Sequence, residues 1–238
     1  MHRKLFDLAR ANAGKGAPIR SEVEGDTASL YVYDVIDSYW GISANDFARA
    51  LGAITAPNIS LRINSPGGDV FEARAMMAAI AEHPSTITAK IDGLAASAAT
   101  ALTLACDAVE IVEGGFYMIH QAWTLALGNA DDMRTTATLL DKIDGVLVEG
   151  YAKKSGKSAD EIVAWMKAET WFTAQEAVDA GFANSVTPIG TAKAQASNFN
   201  VAAYANAPKA LTEQTPLIDD AARIRSLARL GLYERTAQ

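Results

Sequence analysis

The stretch INSPGGDVFEARAMM, residues 63–77, is the most informative part of the sequence for the fold. An apolar run typical of a strand ends just before two adjacent glycines, Gly67 and Gly68, and an amphipathic helix is predicted over about residues 69–83. Two glycines at this point are compatible with a plain turn. They also leave backbone N–H groups uncovered, so the same pair can bind a negatively charged group or an extended peptide chain.

Outward from this stretch, strands and helices alternate as far as residue 122. Such alternation is typical of βαβ units and predicts a largely parallel sheet within an α/β fold. A long helix is predicted over residues 129–156, because apolar residues recur there at spacings of three and four. Strands are predicted at residues 29–36, 58–65, 85–93, 108–112, 116–122 and 182–186, and shorter helices at residues 43–54, 158–168 and 173–181 and from about residue 96.

The chain of 238 residues divides by composition into three parts. Residues 1–27 are predicted to form a polar leader with one short helix, and residues 28–186 hold the alternating elements. Residues 187–238 begin with a stretch rich in Ala, Asn, Thr and Pro, which predicts a flexible linker. They end with an amphipathic helix predicted over residues 216–234.

Charge and cysteine content exclude several classes of protein. The net charge of −7 argues against a general nucleic-acid binder, since such a protein presents a basic face. The single cysteine, Cys106, permits no intrachain disulfide and fits a reducing compartment. No secretory signal is visible, and the longest uncharged apolar stretch, residues 93–106, is too short to span a bilayer. We therefore expect a cytoplasmic protein that binds neither nucleic acid nor membranes.

Candidates for a catalytic base are few, because the chain has only three histidines, His2, His83 and His120. His120 ends a predicted strand, where a lone histidine is more often structural than catalytic. Ser97 lies at a predicted strand-to-helix corner among small residues, and on its own it is most simply a helix N-cap. Neither residue is sufficient evidence of catalysis alone.

Together, these residues supply the parts of a serine nucleophile site. Ser97 can attack and His120 can act as its base, while the backbone N–H groups of Gly68 and Ala98 can hold an oxyanion. Gly67 and Gly68 then have a second use, since their bare backbone can pair with a substrate chain lying as an added strand. The surroundings of Ser97 do not match the G-x-S-x-G turn of the α/β-hydrolases.

Four motifs in this order resemble the Clp protease proteolytic subunit family of serine peptidases. They are INSPGGDV (63–70), GLAASAAT (93–100), YMIHQAW (117–123) and ETWFTAQEAVDAGFANSV (169–186). The resemblance covers about residues 28–186 and implies a triad in the order Ser, His, acid.

The acid of that triad is where the chain departs from the family. The resemblance assigns Ser97 and His120 to the first two roles and places Glu169 at the third position, which is usually Asp. A glutamate can hold an imidazole tautomer as Asp does, with one more methylene to place. A solvated carboxylate at a helix end is the alternative, with Asp92 and Asp179 as less well matched acids.

The resemblance also implies an architecture and a biological setting. The family fold is a crotonase-like and Clp-protease-like α/β spiral of βαβ units, from which the helix at about 129–156 protrudes as a handle. A homo-oligomer of two seven-membered rings around a chamber for protein substrates is implied. Residues 1–27 do not resemble the family's axial loops, which argues against docking of an ATPase partner.

Residues 37–51 and the Ala-rich region after 187 resemble the phage branch of the family. Its members are head maturation (prohead) proteases, which cut scaffold and capsid proteins during assembly, so the implied location is the host cytoplasm or the prohead.

Three other functions stay open from the sequence. They are a housekeeping Clp-type subunit that works with an ATPase, a crotonase-type acyl-CoA enzyme, and an inactive assembly or scaffold module. The coexistence of Ser97, His120 and Glu169 disfavours the acyl-CoA enzyme. No cofactor or metal is expected, because the histidines are scattered and the glycine pair matches neither G-x-G-x-x-G nor a P-loop.

Overall fold

The computed structural model describes residue 12, residues 19–189 and residues 199–212. In that part of the chain, eight strands form one sheet flanked by helices, which confirms the predicted α/β class. The strands are β1 (Arg20–Glu24), β2 (Thr27–Val32), β3 (Asn58–Ser65), β4 (Thr86–Ala96), β5 (Ala108–Val112), β6 (Phe116–Ile119), β7 (Thr170–Thr173) and β8 (Ser185–Thr187). The helices are α1 (Ala44–Gly52), α2 (Val70–Glu82), α3 (Ala98–Leu104), α4 (Ala130–Ser155), α5 (Ala159–Lys167), α6 (Ala174–Asp179) and α7 (Lys209–Thr212).

Strand β4 organises the sheet, because it has two successive neighbours along one edge. Residues 88–91 pair with β5 and residues 94–96 pair with β6, while β3 runs along the opposite edge. All of these pairings are parallel, as are β2 with β3 and β5 with β8. The carboxyl ends of β3, β4 and β6 therefore lie close together, which is where parallel sheets place their binding sites.

The core lies between the sheet and its helices. Side chains along β2 alternate between buried and half-buried, so one face of the strand packs on the core. Leu30, Leu61 and Ile91 belong to this buried layer, together with Phe47 of α1 and Met76 of α2. Burying an apolar side chain of this size contributes about 1.5–3 kcal/mol.

Helix caps in the structure match the signals in the sequence. Ser43 caps α1, because its side chain accepts a hydrogen bond from the Asp46 N–H. Capping boxes begin α5 with Ser158 and Glu161, and α6 with Thr173 and Glu176.

Helix α4 is long and mostly unsupported by the rest of the chain. Its 26 residues span about 39 Å at the usual rise per residue. Leu147 and Tyr151 are its buried residues, so no residue before Leu147 is buried against the described chain. The helix closely matches the handle predicted over residues 129–156.

Three parts of the chain differ from the sequence-based expectation. Strand β7, which pairs antiparallel with β6, was not predicted. The predicted leader contains β1, whose residues are all exposed at the antiparallel edge of the sheet and therefore show no apolar alternation. Residues 199–212 fall in the predicted linker, yet Phe199, Val201 and Tyr204 are buried. The helix predicted over residues 216–234 lies outside the described residues. Among the described helices, none is both long and apolar enough to cross a membrane.

Candidate active site

Ser97 and His120 follow neighbouring strands, β4 and β6. Ala96 pairs with Met118 in the sheet, so the two strands end side by side. The Ser97 Oγ atom lies 2.7 Å from His120 Nε2, which is a hydrogen-bond distance. The structure thus brings together the predicted nucleophile and the predicted base.

The backbone of Ser97 is strained in a way that presents its hydroxyl. Its φ of 54° is positive, which is unfavourable for a residue with a side chain and costs of order 1–3 kcal/mol. Although Ser97 precedes α3, its side chain makes no capping bond with the helix. The N-cap interpretation is therefore wrong, and the hydroxyl faces His120 instead.

Hydrogen bonds on both sides hold this strained turn. The Ser97 N–H donates to the Met118 carbonyl at 2.9 Å, and the Ser97 carbonyl accepts from the Thr100 hydroxyl at 2.6 Å. The Thr100 hydroxyl also lies 2.5 Å from the Tyr151 hydroxyl of α4, deep in the core. A buried chain of hydroxyl groups thus links the long helix to the turn that carries Ser97.

The glycine pair packs closely against the turns around it. A Cβ atom on Gly67 would lie 2.6 Å from the Ala96 carbonyl oxygen and 2.8 Å from Ser97 Cβ. A Cβ atom on Gly68 would lie 2.0 Å from the Ile36 carbonyl oxygen. Both residues also have a positive φ, of 93° and 149°. Only glycine fits these two positions without displacing the backbone.

The backbone of Gly68 has one side free for a ligand. Ile36 donates to the Gly67 carbonyl and accepts from the Asp69 N–H, so the peptide groups of Gly68 face away from Ile36. Among the backbone bonds of the described residues, neither Gly68 nor Ala98 donates its N–H. These are the two N–H groups predicted to hold an oxyanion.

His120 is largely shielded from water, which favours its neutral form. Burial lowers the pKa of His120 from 6.5 to about 4, and the negative charge of Glu169 opposes that shift. A neutral imidazole is what a general base requires, and accepting at Nε2 from Ser97 puts the ring proton on Nδ1.

Glu169 lies close enough to His120 to act on its charge, but its oxygens are bonded elsewhere. The carboxylate accepts from the Ala205 N–H at 2.9 Å, the Asn206 N–H at 2.7 Å and the Trp171 indole N–H at 3.2 Å. Among the hydrogen bonds of the described residues, none joins Glu169 to His120. The predicted third member of the triad therefore raises the pKa of His120 by its charge and makes no hydrogen bond to it.

The two alternative acids have partners of their own. Asp92 accepts both bonds from the Arg62 guanidinium at 2.6 Å and a third from the Tyr33 hydroxyl. Asp179 is exposed on α6 and accepts from Gln175. Neither carboxylate contributes to the shift in the pKa of His120.

A cleft of about 400 Å³ opens over the pair. Apolar side chains form much of its wall, and three of them stay largely exposed: Trp40 at 53%, Phe71 at 60% and Trp123 at 46%. Asp144 of α4 fixes the loop after the base by accepting from the Ala122 N–H at 2.7 Å. The cleft is thus suited to an extended chain with apolar side chains.

Some residues of the site were not found from the sequence. Thr100 ends the motif GLAASAAT (93–100) but had no predicted role, and Tyr151 belongs to none of the four motifs. The two residues are joined only by the packing of α3 against α4. Tyr204 lies in the segment predicted as a linker. In that segment Phe199, Val201 and Tyr204 are large apolar residues, two and three positions apart, among small ones. That spacing was the available signal that the segment packs on the protein. Among the described residues, no three His, Cys, Asp or Glu side chains are grouped as a metal site.

Comparisons with known proteins agree with this fold. A family model described as Clp protease matches residues 44–190. The ATP-dependent Clp protease proteolytic subunit 1 of Leifsonia xyli subsp. xyli is 32% identical over 150 residues, covering 60% of this chain and 76% of that protein. The protein of the same name from Protochlamydia amoebophila is 31% identical over 169 residues, covering 68% of this chain and 81% of that protein.

The fold is also similar to that of a solved ClpP1 mutant from Listeria monocytogenes. The TM-score is 0.60 at 22% sequence identity, and the match covers 67% of this chain and 91% of that chain. This confirms the expected Clp-protease-like α/β fold. The family model spans more than half of the chain and includes Gly67, Ser97, His120 and Glu169. The chain therefore belongs to the Clp protease family.

Proposed function

We propose that this protein is a serine endopeptidase in which Ser97 forms an acyl-enzyme with the substrate. The observation that supports this most directly is the 2.7 Å contact between Ser97 Oγ and His120 Nε2. The strained backbone of Ser97 and the neutral state of His120 agree with a nucleophile and its base. The crotonase-type alternative has no use for such a contact.

In the proposed reaction, His120 Nε2 takes the Ser97 proton as Oγ attacks the substrate carbonyl carbon. The N–H groups of Gly68 and Ala98 stabilise the negative oxygen of the tetrahedral intermediate. His120 then passes the proton to the leaving amine as the peptide C–N bond breaks. A water molecule, deprotonated by His120, attacks the acyl-enzyme, and the proton returns to Ser97 Oγ as the acid product leaves.

Glu169 supports the charged imidazolium that forms during the reaction. Its carboxylate acts on His120 across the site, although its direct bonds go to Trp171, Ala205 and Asn206. We therefore propose an electrostatic role for Glu169 as the third member of the triad.

The substrate is proposed to be an extended polypeptide. The free side of Gly68 can pair with a peptide backbone, and the exposed apolar residues Trp40, Phe71 and Trp123 can receive its side chains. We further propose phage scaffold and capsid proteins as the natural substrates and a ring-shaped homo-oligomer as the active form. The resemblance of residues 37–51 and of the region after 187 to the phage branch supports that choice.

The test is labelling with a fluorophosphonate probe, which reacts with activated serines, followed by peptide mass mapping. Wild-type protein should carry the adduct on Ser97, and Ser97→Ala should lose both the adduct and peptide cleavage while keeping its fold and oligomeric mass. Ser85→Ala is a matched control, because the Ser85 hydroxyl donates to the Ala56 carbonyl, and the bond from Ser85 to His83 is made by the backbone N–H, which alanine keeps. Cleavage by Ser97→Ala at the wild-type rate would exclude the mechanism.

A second assay separates the candidate substrates. Purified protein without any ATPase is incubated with a phage scaffold protein or with an unfolded polypeptide such as casein. Cleavage of the scaffold protein in the absence of ATP supports the maturation role. The two relatives named above are called ATP-dependent, so cleavage that appears only with an ATPase and ATP would instead favour a housekeeping subunit.

A further inference from the structure

The described part of the chain after residue 198 packs beside the catalytic pair. We refer to residues 199–212 as the C-terminal segment. Its buried side chains contact the parts of β4 and β6 that immediately precede Ser97 and His120. The buried residues of this cluster are Leu94, Ala96, Met118, Phe199, Val201 and Tyr204.

Tyr204 is the residue of the segment that reaches the site. Its ring meets the His120 ring edge to face, with centroids 5.4 Å apart and planes at 85°. The Tyr204 ring also contacts the Trp171 ring, with centroids 5.7 Å apart. The Tyr204 hydroxyl donates to the Pro66 carbonyl at 2.6 Å, just before the glycine pair that is proposed to bind substrate. One buried side chain thus contacts both the base and the substrate-binding turn.

Polar contacts hold the segment on both sides of Tyr204. Asn200 exchanges two hydrogen bonds with Asn12, at 2.7 and 2.9 Å. After Tyr204, the N–H groups of Ala205 and Asn206 donate to Glu169. The Asn206 side chain donates to the Ala168 carbonyl at 2.7 Å. These specific hydrogen bonds hold the segment in one position, whereas a loosely attached linker would make none.

The segment leaves the reacting groups accessible. The contact between Ser97 and His120 is present with Tyr204 in place, and the cleft over them is open. The N–H groups of Gly68 and Ala98 donate to no backbone group of the described segment. An inhibitory plug would occupy these groups, whereas a wall of the active site would leave them free.

We propose that Tyr204, held in place by the rest of the C-terminal segment, forms a wall of the active site and is a positioning residue for His120 and for the Pro66–Gly67 turn. The Tyr204 ring limits rotation of the imidazole, and its hydroxyl holds the carbonyl that precedes the substrate-binding glycines. Glu169 has a double role, since it fastens the segment and supports the imidazolium. This inference rests on the proposed peptidase function.

The test compares Tyr204→Leu and Tyr204→Phe with Phe199→Leu. Leucine keeps apolar bulk in place of the ring, and Phe199→Leu makes the same kind of change in the same buried cluster without a ring contact to His120. Because small displacements of a catalytic group are costly, Tyr204→Leu should lower kcat about 10- to 100-fold with KM changed less than about threefold. Tyr204→Phe should fall between Tyr204→Leu and wild type, and Phe199→Leu should keep wild-type kcat.

A pH profile distinguishes positioning from simple stabilisation. The groups that face His120 are the Ser97 hydroxyl and the titratable side chains of Glu169 and Tyr204, and burial is the main cause of the low pKa of His120. Loss of the Tyr204 ring admits water, so the pKa of His120 should rise and the acid limb of kcat/KM should move to higher pH. Phe199→Leu should leave the acid limb where it is.

The outcomes separate this inference from the proposed function. If the probe labels Ser97 in wild type, but Tyr204→Leu keeps wild-type kcat and acid limb, the positioning role is wrong and the peptidase proposal stands. An increase in activity in Tyr204→Leu would identify the segment as inhibitory and would also overturn the inference. If the probe labels no serine in wild type, the proposed function itself fails.

Discussion

His120 combines a close hydroxyl partner with a low proton affinity. Burial lowers its pKa to about 4, so the imidazole is neutral over the pH range in which most proteins are assayed. The base is therefore ready to accept the Ser97 proton without first losing one of its own.

This gives a prediction for the pH dependence of activity. Since neutral His120 is the active form, kcat/KM should rise with pH through about 4 and be flat from about pH 5.5 upward. Measuring kcat/KM with an uncharged peptide, together with the rate of probe labelling, checks this. An acid limb centred near 6.5, the ordinary value, would contradict it.

The lowered pKa of His120 also makes the free energy of unfolding depend on pH. The unfolded chain binds a proton at His120 below pH 6.5, whereas the folded protein does so only below about 4. The free energy of unfolding should therefore fall as the pH drops from 6.5 to 4. Urea unfolding of His120→Gln should lack this part of the pH dependence.

The sequence was sufficient to single out Ser97 and His120, which lie 2.7 Å apart in the structure, because each belongs to a local motif. Their catalytic roles stay a prediction. The sequence was not sufficient for Tyr204, whose contacts with Pro66, His120 and Trp171 join distant parts of the chain. The bonds of Glu169 were likewise not predictable, since Ala205 and Asn206 donate through their backbones. Almost every residue type has a backbone N–H group, so the identity of a residue does not show whether this group makes a bond.

Among the secondary-structure elements, the turn between β3 and α2 is the most constrained. Its two glycines lie against Ala96 and Ile36, so the turn, the end of β4 and the chain near Ile36 fit together as one unit. Both the packing of this turn and the proposed substrate-binding site depend on Gly67 and Gly68. The pattern at residues 63–77 therefore predicted features of the fold and of the site together.

A substitution series tests that constraint. Gly67→Ala should lower kcat/KM by about 100-fold or more, because the new Cβ displaces Ala96 and Ser97 from their positions. Gly114→Ala is the matched control, since Gly114 also has a positive φ, of 81°, but open space around its Cβ position. The control should lose only about 1 kcal/mol of stability and keep its activity. Equal loss of activity in both variants would show that backbone strain alone, and not the fit against Ser97, is responsible.

Helices were predicted more accurately than strands, for a physical reason. Caps such as Ser43 and Ser158 mark helix ends through local hydrogen bonds. Strand ends depend on neighbours, so β4 extends to Ala96 beyond its predicted end, because β6 is there to pair with it. Strand β1 was missed since an exposed edge needs no apolar residues.

Helix α4 has exposed apolar side chains that packing within a single chain does not explain. Met133, Leu139 and Val146 are apolar, yet they are 37%, 49% and 43% exposed. A helix with so little support and such a surface is typical of contact between subunits. We therefore expect the protein to be an oligomer held partly by α4.

Light scattering after size exclusion tests this expectation. Val146→Glu should lower the oligomeric mass, because it buries a charge in the contact, while thermal unfolding shows whether the subunit stays folded. Thr135→Glu is the control, since it changes an exposed polar residue of the same helix. A wild-type monomer, or identical masses for both variants, would contradict the expected role of α4.

The position of the C-terminal segment in the chain has a consequence for the order of synthesis. A ribosome releases β4 and β6 first, and residues 199–212 follow several seconds later at about 5–20 residues per second. A nascent chain can therefore pair Ser97 with His120 before Tyr204 exists to hold the imidazole. If Tyr204 positions the base as proposed, the emerging protein is restrained from cutting its neighbours until residues 199–212 have also been synthesised.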